Sequence, residues 1–242
     1  MSDNLQSPPT KFTRRNMLQL IMATGASLLT GCGIASQNKN AANLACVVTP
    51  EQTEGPYFVD EKLMRSDIRF DPTDGSIQAG TPLTLAINVY ATGITACKPI
   101  KDAIVDIWHC NADGVYSDAK DRSFDTRGRK FLRGYRLTDE SGTAKFFTIY
   151  PGWYDGRTVH IHFKIRTTDA AGKSQEFSSQ LYFDDKLNDE VFALTPYTGR
   201  GERTTRNSDD RIFEDGGQQL MLKPIRTADG YIASFDVGLN IG

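Results

Sequence analysis

The sequence lacks several features that mark particular classes of protein. Its 242 residues carry a formal net charge of only −2 with both signs intermixed, so it offers no electrostatic basis for binding nucleic acid or an anionic membrane surface. Its N-terminal apolar run, residues 17–29, is shorter than the ~20 residues that span a bilayer. Its four cysteines do not have the spacing of a cysteine-rich zinc site. These absences leave a globular domain for which small neutral or anionic ligands remain open.

The amino terminus is typical of an export signal. Arg14 and Arg15 precede the apolar run 17–29, and small residues follow it, which is the order found in a twin-arginine signal peptide. Residues 29–32 (Leu-Thr-Gly-Cys) resemble a bacterial lipoprotein cleavage box, in which Cys32 would become the lipidated first residue. We therefore expect an exported protein in the periplasm or cell envelope, lipid-anchored through Cys32. A cytosolic protein with a frayed apolar end is the alternative.

After a signal peptide over residues 1–32, the composition predicts a tether and one domain. Residues 33–45 are mostly small and polar, as in a flexible tether. Residues 46–242 have the length of one ordinary domain with a sizeable core. Three cysteines follow Cys32, namely Cys46, Cys97 and Cys110. An oxidising compartment permits one disulfide among them, and the sequence does not determine the pair, although we favour Cys46 with Cys97.

Short β-branched and aromatic runs alternate with turn residues along the domain, which predicts strands joined by tight turns. The predicted strands are residues 83–90, 103–108, 131–137, 144–149, 159–165, 177–183 and 232–237. This spacing favours an all-β fold, an antiparallel β-sandwich with long loops and at most one or two short helices. Asp184 and Asp185 predict the cap of one such helix over residues 186–193. The polar residues 198–210 predict a long surface loop.

The chain has only three histidines, and two of them, His160 and His162, lie two residues apart in a predicted strand. Residues two apart in a strand point to the same face, so both imidazoles could bind one metal ion while Ile161 faces the opposite layer. Two hydrogen-bonded structural histidines would give the same pattern. The third histidine, His109, has no second ligand at a workable spacing and is predicted to be structural.

Two turns near the histidine strand present further candidate ligands. The predicted strand 103–108 ends in a turn that presents Tyr116, and a Pro-Gly turn presents Tyr154 and Arg157 just before His160. Phenolates are hard anionic donors that stabilise ferric iron, and two imidazoles would complete a site with room for water or hydroxide. Either tyrosine by itself could instead be a core aromatic residue.

Together these segments resemble the intradiol ring-cleavage dioxygenases. The resemblance is carried by residues 49–58, by Asp106-Ile107-Trp108, Phe131-Leu132-Arg133-Gly134, His160-Ile161-His162-Phe163 and Gln180-Leu181-Tyr182-Phe183, and by the ordered Tyr116, Tyr154 and Arg157. It implies a β-sandwich enzyme with Fe(III) bound by Tyr116, Tyr154, His160 and His162. Such an enzyme uses O2 to cleave a catechol between its two hydroxylated carbons, giving a muconate-type dicarboxylic acid.

The resemblance also implies individual roles. Tyr116 would stay on the iron, and Tyr154 would be displaced when the substrate binds and would act as an internal base. Arg157 would lie against the bound ring, where its positive charge favours the reactive tautomer, with Gln180 as a supporting residue. A surface ion pair of Arg157 with Asp155 and an edge-strand hydrogen bond of Gln180 are the simpler readings. The resemblance places Gly55, Pro56 and Tyr57 near the substrate.

The sequence also fits other functions, and it differs from the family in two ways. A metal-dependent hydrolase, a non-catalytic periplasmic binding protein for catechols, or a structural or adhesive sandwich would fit the same predicted fold. Only Asp155 and Gly156 separate Tyr154 from Arg157, which is shorter than in the well-studied aromatic-degrading members, so the pocket floor should differ. The export signal favours an extracellular phenolic or plant-derived catechol as substrate. A homo-oligomer is left open.

Overall fold

A computed structural model of the protein describes residues 47–92, 97–169 and 171–241. In chain order the elements are β1 (Pro82–Ala91), β2 (Lys98–Pro99), β3 (Ile104–Trp108), β4 (Arg133–Leu137), β5 (Thr143–Ile149), β6 (His160–Thr168), β7 (Ser174–Tyr182), α1 (Asp185–Phe192), α2 (Arg211–Glu214), β8 (Ile225–Arg226) and β9 (Tyr231–Leu239). Short 3-10 turns span Tyr197–Arg200, Asn207–Asp209 and Gly217–Leu220. The predicted signal peptide, lipid anchor and tether lie outside the described residues. None of the helices within the described ranges has the length and apolarity needed to cross a bilayer.

The strands form two sheets. In the first, β1 pairs with β9 along one edge and with β5 and β2 along the other, and β8 extends the sheet beyond β9. In the second, the order is β4-β3-β6-β7, and every pair is antiparallel. The predicted two-sheet, all-β architecture is confirmed. Among the strands described, β1 and β9 depart from the predicted antiparallel pairing, because they run parallel. A tight hairpin cannot make such a pair, which joins strands far apart in the chain.

One buried apolar cluster fills the space between the sheets. Along β1 the buried side chains alternate with partly exposed ones, as expected when one face of a strand is covered. The second sheet contributes Ile161, Phe163 and Ile165 of β6 to the same cluster. Because side chains alternate along a strand, these three residues place His160 and His162 on the outer face of the second sheet.

The predicted helix and one predicted strand show how local chemistry sets element boundaries. Asp184 is the N-cap of α1, since its carboxylate accepts hydrogen bonds from the backbone N–H groups of Lys186 (2.9 Å) and Leu187 (3.2 Å). The predicted strand 131–137 begins only at Arg133, because Leu132 has a left-handed backbone conformation with φ of 52°, which interrupts an extended strand.

The cysteines differ in their bonding. Cys97 is disulfide-bonded, whereas Cys110 is a free, buried thiol. Cys110 is therefore not the partner of Cys97, and that partner lies outside the described residues. The pairing of Cys46 with Cys97 stays a prediction.

Candidate active site

The outer face of the second sheet carries an aromatic cluster around the two neighbouring histidines. Trp108 of β3 lies opposite His162 of β6 in the strand register, and the two rings stack with centroids 5.0 Å apart and an angle of 5° between their planes. On the other side of the cluster, Gly55 approaches His162 so closely that a β carbon there would lie 3.0 Å from Cε1 of the imidazole. The loops thus cover this face, and both histidines are buried although they point away from the core.

Four side-chain atoms that can bind a metal ion converge at this place. Nε2 of His160 lies 3.0 Å from Nε2 of His162 and 3.2 Å from each of the hydroxyl oxygens of Tyr116 and Tyr154. Donor atoms that share one ion at bonds of about 2.0–2.2 Å lie roughly 3 Å apart. The spacing of these four atoms fits a shared metal ion.

Hydrogen bonds alone cannot give every polar atom of this site a partner. Nδ1 of His160 lies 2.6 Å from the carbonyl oxygen of Thr158, which can only accept, so Nδ1 carries the proton and Nε2 has a single lone pair. That one lone pair faces the two tyrosine hydroxyls and the second imidazole. Nδ1 of His162 is buried and has no hydrogen-bond partner among the described residues. A cation bound between the four atoms would use the lone pairs that these groups leave unpaired.

Burial sets the charge state of the four groups. Removal from water, reinforced by the positive charge of Arg157, lowers the pKa of His160 to about 3, and removal from water lowers the pKa of His162 well below its usual value. The same desolvation raises the pKa of Tyr116 and Tyr154 far above their ordinary value. The site therefore offers neutral imidazoles and phenols, and a bound cation would favour ionisation of the phenols.

Tyrosine is essential to this candidate site. Within the described residues there is no group of three or more His, Cys, Asp and Glu side chains that could hold a metal ion. A metal site here depends on Tyr116 and Tyr154 as well as on the histidines. Tyr116 is 1% exposed. Tyr154 is half-buried and is the first residue of a turn that its bridge with Arg157 closes.

Arg157 is held by two buried side chains rather than by Asp155. Its Nε donates to a carboxylate oxygen of Asp210 at 2.9 Å, and its NH2 group donates to Oε1 of Gln180 at 2.6 Å. Burial opposes the charge of Arg157, but the neighbouring Tyr154 and Asp210 outweigh it and raise its pKa. The simpler reading of a surface ion pair with Asp155 is therefore wrong, since Asp155 accepts a hydrogen bond from Thr204 instead.

Gln180 occupies a buried position next to the histidines. It lies opposite His162 in the β6–β7 register, and its Nε2 donates to the carbonyl oxygen of Thr53 at 3.0 Å. Its Oε1 also accepts from the hydroxyl of Tyr182 at 3.3 Å. Gln180 thus joins Arg157 to the segment before Gly55.

The segment 198–210 contains a site residue that the sequence reasoning missed. Asp210 is 1% exposed, and it accepts from the backbone N–H of Thr158 at 2.9 Å and from the backbone of Ile212 at 2.8 Å, as the N-cap of α2. The prediction of a surface loop is wrong at its end, because these contacts fix Asp210 beneath Arg157. An aspartate placed before apolar residues is a capping signal, and it could have identified this position.

The three residues predicted near the substrate have different surroundings. Gly55 needs both its backbone conformation, with φ of 73°, and its lack of a side chain against His162. Pro56 is exposed. The ring of Tyr57 stacks on Tyr116 with centroids 4.4 Å apart, and its hydroxyl donates to Asp121 at 2.6 Å. Burial and this carboxylate raise the pKa of Tyr57 to about 12.

The comparison with known proteins decides the family. The model of the Dioxygenase_C family, described as dioxygenase, matches residues 53–208. An intradiol ring-cleavage dioxygenase from Tetranychus urticae is similar in structure with a TM-score of 0.69 and 30% identity, over 81% of this chain and 95% of that one. The chain belongs to the intradiol ring-cleavage dioxygenase family. The family and the fold predicted from the sequence are confirmed.

Two curated members of this family extend the comparison. The chain is 32% identical to the protocatechuate 3,4-dioxygenase beta chain of Burkholderia cepacia over 156 residues, which are 60% of this chain and 65% of that protein. It is 27% identical to catechol 1,2-dioxygenase 1 of Acinetobacter lwoffii over 161 residues, which are 57% of this chain and 49% of that protein. The chain therefore spans between about half and two thirds of the length of these relatives.

In this family member the two tyrosines open onto a cavity of about 490 Å3. Its aromatic walls are formed by Tyr57, Tyr116, Phe124, Trp153 and Tyr154. This volume lies within the range of small-molecule sites. The cavity could hold a ligand of one ring and a substituent next to Tyr154.

Proposed function

We propose that this protein is a non-haem Fe(III)-dependent dioxygenase that cleaves catechol-type rings between the two hydroxylated carbons, with Tyr116, Tyr154, His160 and His162 as the iron ligands. The overall reaction adds both atoms of O2 to the catechol and yields a muconate-type dicarboxylic acid. The observation that carries the proposal is the convergence of two phenol oxygens on the paired imidazole nitrogens, 3.0–3.2 Å from Nε2 of His160. Membership of the family supports it.

The donor set favours iron in its ferric state. Two phenolates and two neutral imidazoles combine hard anionic oxygen with nitrogen, and hard anionic ligands favour the more highly charged ion. When bound, Fe(III) would supply Lewis-acid activation of a chelated catechol towards O2. The protein's own contribution is the positioning of the ring and the movement of protons.

The two tyrosines have unequal access to the cavity, which supports different roles. Tyr116 is 1% exposed and is held beneath the ring of Tyr57, so it has little freedom to leave. Tyr154 is half-buried and begins a tight turn over residues 154–157. We assign to Tyr154 the displaceable position, in which its phenolate oxygen takes a proton from a catechol hydroxyl as the substrate binds.

Arg157 supplies a fixed positive charge beside the reacting ring. Asp210 and Gln180 hold two sides of its guanidinium group, and the side chain is 16% exposed. A charge that is already oriented in a partly dry site stabilises developing negative charge on a substrate without reorganisation. Asp210 and Gln180 are positioning residues in this scheme, because they act through Arg157.

An oxygen-uptake assay with the iron-loaded protein tests the proposal. With catechol as substrate we expect one O2 consumed per ring and a product with the absorbance and mass of cis,cis-muconate. Binding of catechol without oxygen consumption would instead indicate a binding protein, and a ring cleaved outside the two hydroxylated carbons would contradict the assigned chemistry.

We also propose that the protein is exported to the cell envelope. The twin arginine, the apolar run and Cys32 in the sequence support this location, and the disulfide at Cys97 is consistent with an oxidising compartment. Fractionation of cells that produce the full chain, with Cys32→Ser as the comparison, tests it. We expect membrane-associated protein for the natural chain and soluble periplasmic protein for the variant; cytoplasmic protein in both would contradict the proposal.

A further inference from the structure

The charged residues around the cavity suggest which catechols it accepts. Three aspartates, Asp113, Asp121 and Asp155, line it together with a single arginine, Arg200. None of the three carboxylates forms an ion pair with another described residue. The lining therefore has an excess of negative charge.

The three carboxylates have few polar partners in the structure. Asp121 accepts from the neutral hydroxyl of Tyr57, and this hydrogen bond lowers its pKa, so it stays ionised. Asp155 accepts from the hydroxyl of Thr204 and from no other side chain among the described residues. The basic neighbours of Asp121 in the chain, Lys120 and Arg122, do not line the cavity. Among the charged residues that line the cavity, the three carboxylates therefore outnumber the one cation, Arg200.

The guanidinium group of Arg200 already interacts with another residue of the cavity lining, Trp153. Its guanidinium lies over the ring of Trp153, 4.4 Å from the centroid, and donates to the carbonyl oxygen of Trp153. This contact shows that an aromatic face of the cavity can hold a cation. Other aromatic rings, those of Tyr57 and Phe124, also line the cavity.

We propose that this cavity selects catechols whose ring substituent is cationic over catechols of the same size whose substituent is a carboxylate. The inference rests on the proposed function and names its substrate class. The cavity of about 490 Å3 also leaves room for a substituent. The curated relative of Burkholderia cepacia is named for a carboxylated catechol, so the charge of the lining predicts a different preference here.

Three matched probes test the inference with the iron-loaded full-length protein. They are 4-(2-aminoethyl)catechol, which is cationic, 3-(3,4-dihydroxyphenyl)propionate, which is anionic, and 4-ethylcatechol, which is neutral. We expect kcat/KM for the cationic probe to exceed that for the anionic probe by about tenfold at low salt. The carboxylates of the lining attract the cationic substituent and repel the anionic one, and water in the cavity keeps both effects modest. The ratio should shrink at high ionic strength.

Charge-neutralising variants locate the effect. Asp113→Asn combined with Asp155→Asn should reduce the cationic-to-anionic ratio several-fold. Asp229→Asn, which removes the same charge at a different cavity, should leave the ratio unchanged. Cleavage of 4-ethylcatechol with no preference between the charged probes, or with preference for the anionic one, would overturn this inference and leave the proposed function standing. If catechol is cleaved but none of the three probes is, the inference fails and the proposed function stands. If catechol is not cleaved either, the proposed function itself fails and the inference with it.

Discussion

The three histidines of this protein lie in two regions, and the comparison between them separates burial from function. All three are at most 2% exposed. His109 has a partner for each ring nitrogen, since Nδ1 lies 2.8 Å from the carbonyl oxygen of Cys110 and Nε2 lies 2.6 Å from the hydroxyl of Thr148. One neutral tautomer satisfies both contacts. His109 is therefore structural, as the sequence predicts.

The pair on the outer face of β6 differs in this respect. The Nε2 atoms of His160 and His162 face each other at 3.0 Å with two phenol hydroxyls alongside, and Nδ1 of His162 has no partner among the described residues. No assignment of protons satisfies all of these atoms at once. The difference teaches that a buried histidine is a candidate metal ligand when its Nε2 faces other donor atoms that protons alone cannot pair, and that burial alone does not make it one.

The largest expected effect comes from removing one imidazole of the pair. His162→Ala should abolish stoichiometric iron binding and lower catechol turnover by more than about 100-fold, since even residues that only support metal ligands matter by 10–100-fold. Metal analysis and oxygen uptake measure both. His162→Gln should lose iron as well, whereas the matched change in the other region, His109→Gln, should retain it. Equal iron content in the two glutamine variants would remove the distinction between the regions.

Substitutions on the inner face of β6 should lower the stability of the protein without changing its iron binding. Phe163 is fully buried in the core cluster, so Phe163→Ala should lower the free energy of unfolding by about 3–5 kcal/mol. The iron bound per folded molecule should stay at that of the natural protein. Phe163→Leu provides a milder version if the alanine variant does not accumulate. Loss of iron from folded Phe163→Leu protein would contradict the separation of the two faces.

His109 should make the free energy of unfolding depend on pH, because its pKa differs between the folded and the unfolded chain. Burial lowers the pKa of His109 to about 4, below the ~6.5 of an unfolded histidine. The unfolded chain then binds a proton that the folded chain excludes, so the contribution of His109 is full above about pH 6.5 and is lost as the pH falls towards 4. The free energy of unfolding should fall between pH 7 and 4 by about 3 kcal/mol more in the natural protein than in His109→Gln. Equal slopes in denaturant titrations would contradict the assignment.

Arg157 should give the smallest effect, confined to turnover. Arg157→Ala should keep iron and lower kcat by about 10–100-fold, because the residue supports the reaction without binding the metal. Arg157→Lys should recover little, since a lysine cannot bridge Asp210 and Gln180 with one planar group. Arg211→Ala, which changes an exposed arginine of α2, is the control. Full activity of Arg157→Ala would remove its assigned role.

Much of this architecture could be predicted from the sequence because it follows from local periodicity. Alternating apolar residues predict the strands, and the His-x-His spacing predicts two imidazoles on one face of β6. The capping aspartate likewise predicts α1. The parallel pairing of β1 with β9 could not be predicted, since it depends on contacts between segments about 150 residues apart. Local patterns contain no signal for such pairing.

The supporting contacts of the candidate site were harder to predict for the same reason. Asp210 reaches Arg157 across more than fifty positions of the chain, and Tyr57 stacks on Tyr116 from a separate loop. The charge of the cavity depends on which side chains of three loops point inwards. Loop conformations are fixed by tertiary packing. The capping signal of Asp210 could have marked the start of α2, but the sequence does not show that its carboxylate also contacts Arg157.

The visible absorption spectrum of the iron-loaded protein, recorded before and after addition of catechol without oxygen, tests the central claim that two tyrosines and two histidines bind Fe(III). We expect a broad tyrosinate-to-iron(III) band that shifts when catechol binds. The band should be lost in His162→Ala and retained in His109→Gln. A colourless protein that takes up no iron and does not respond to catechol would contradict the account, and would mean that Tyr116 and Tyr154 are core aromatic residues.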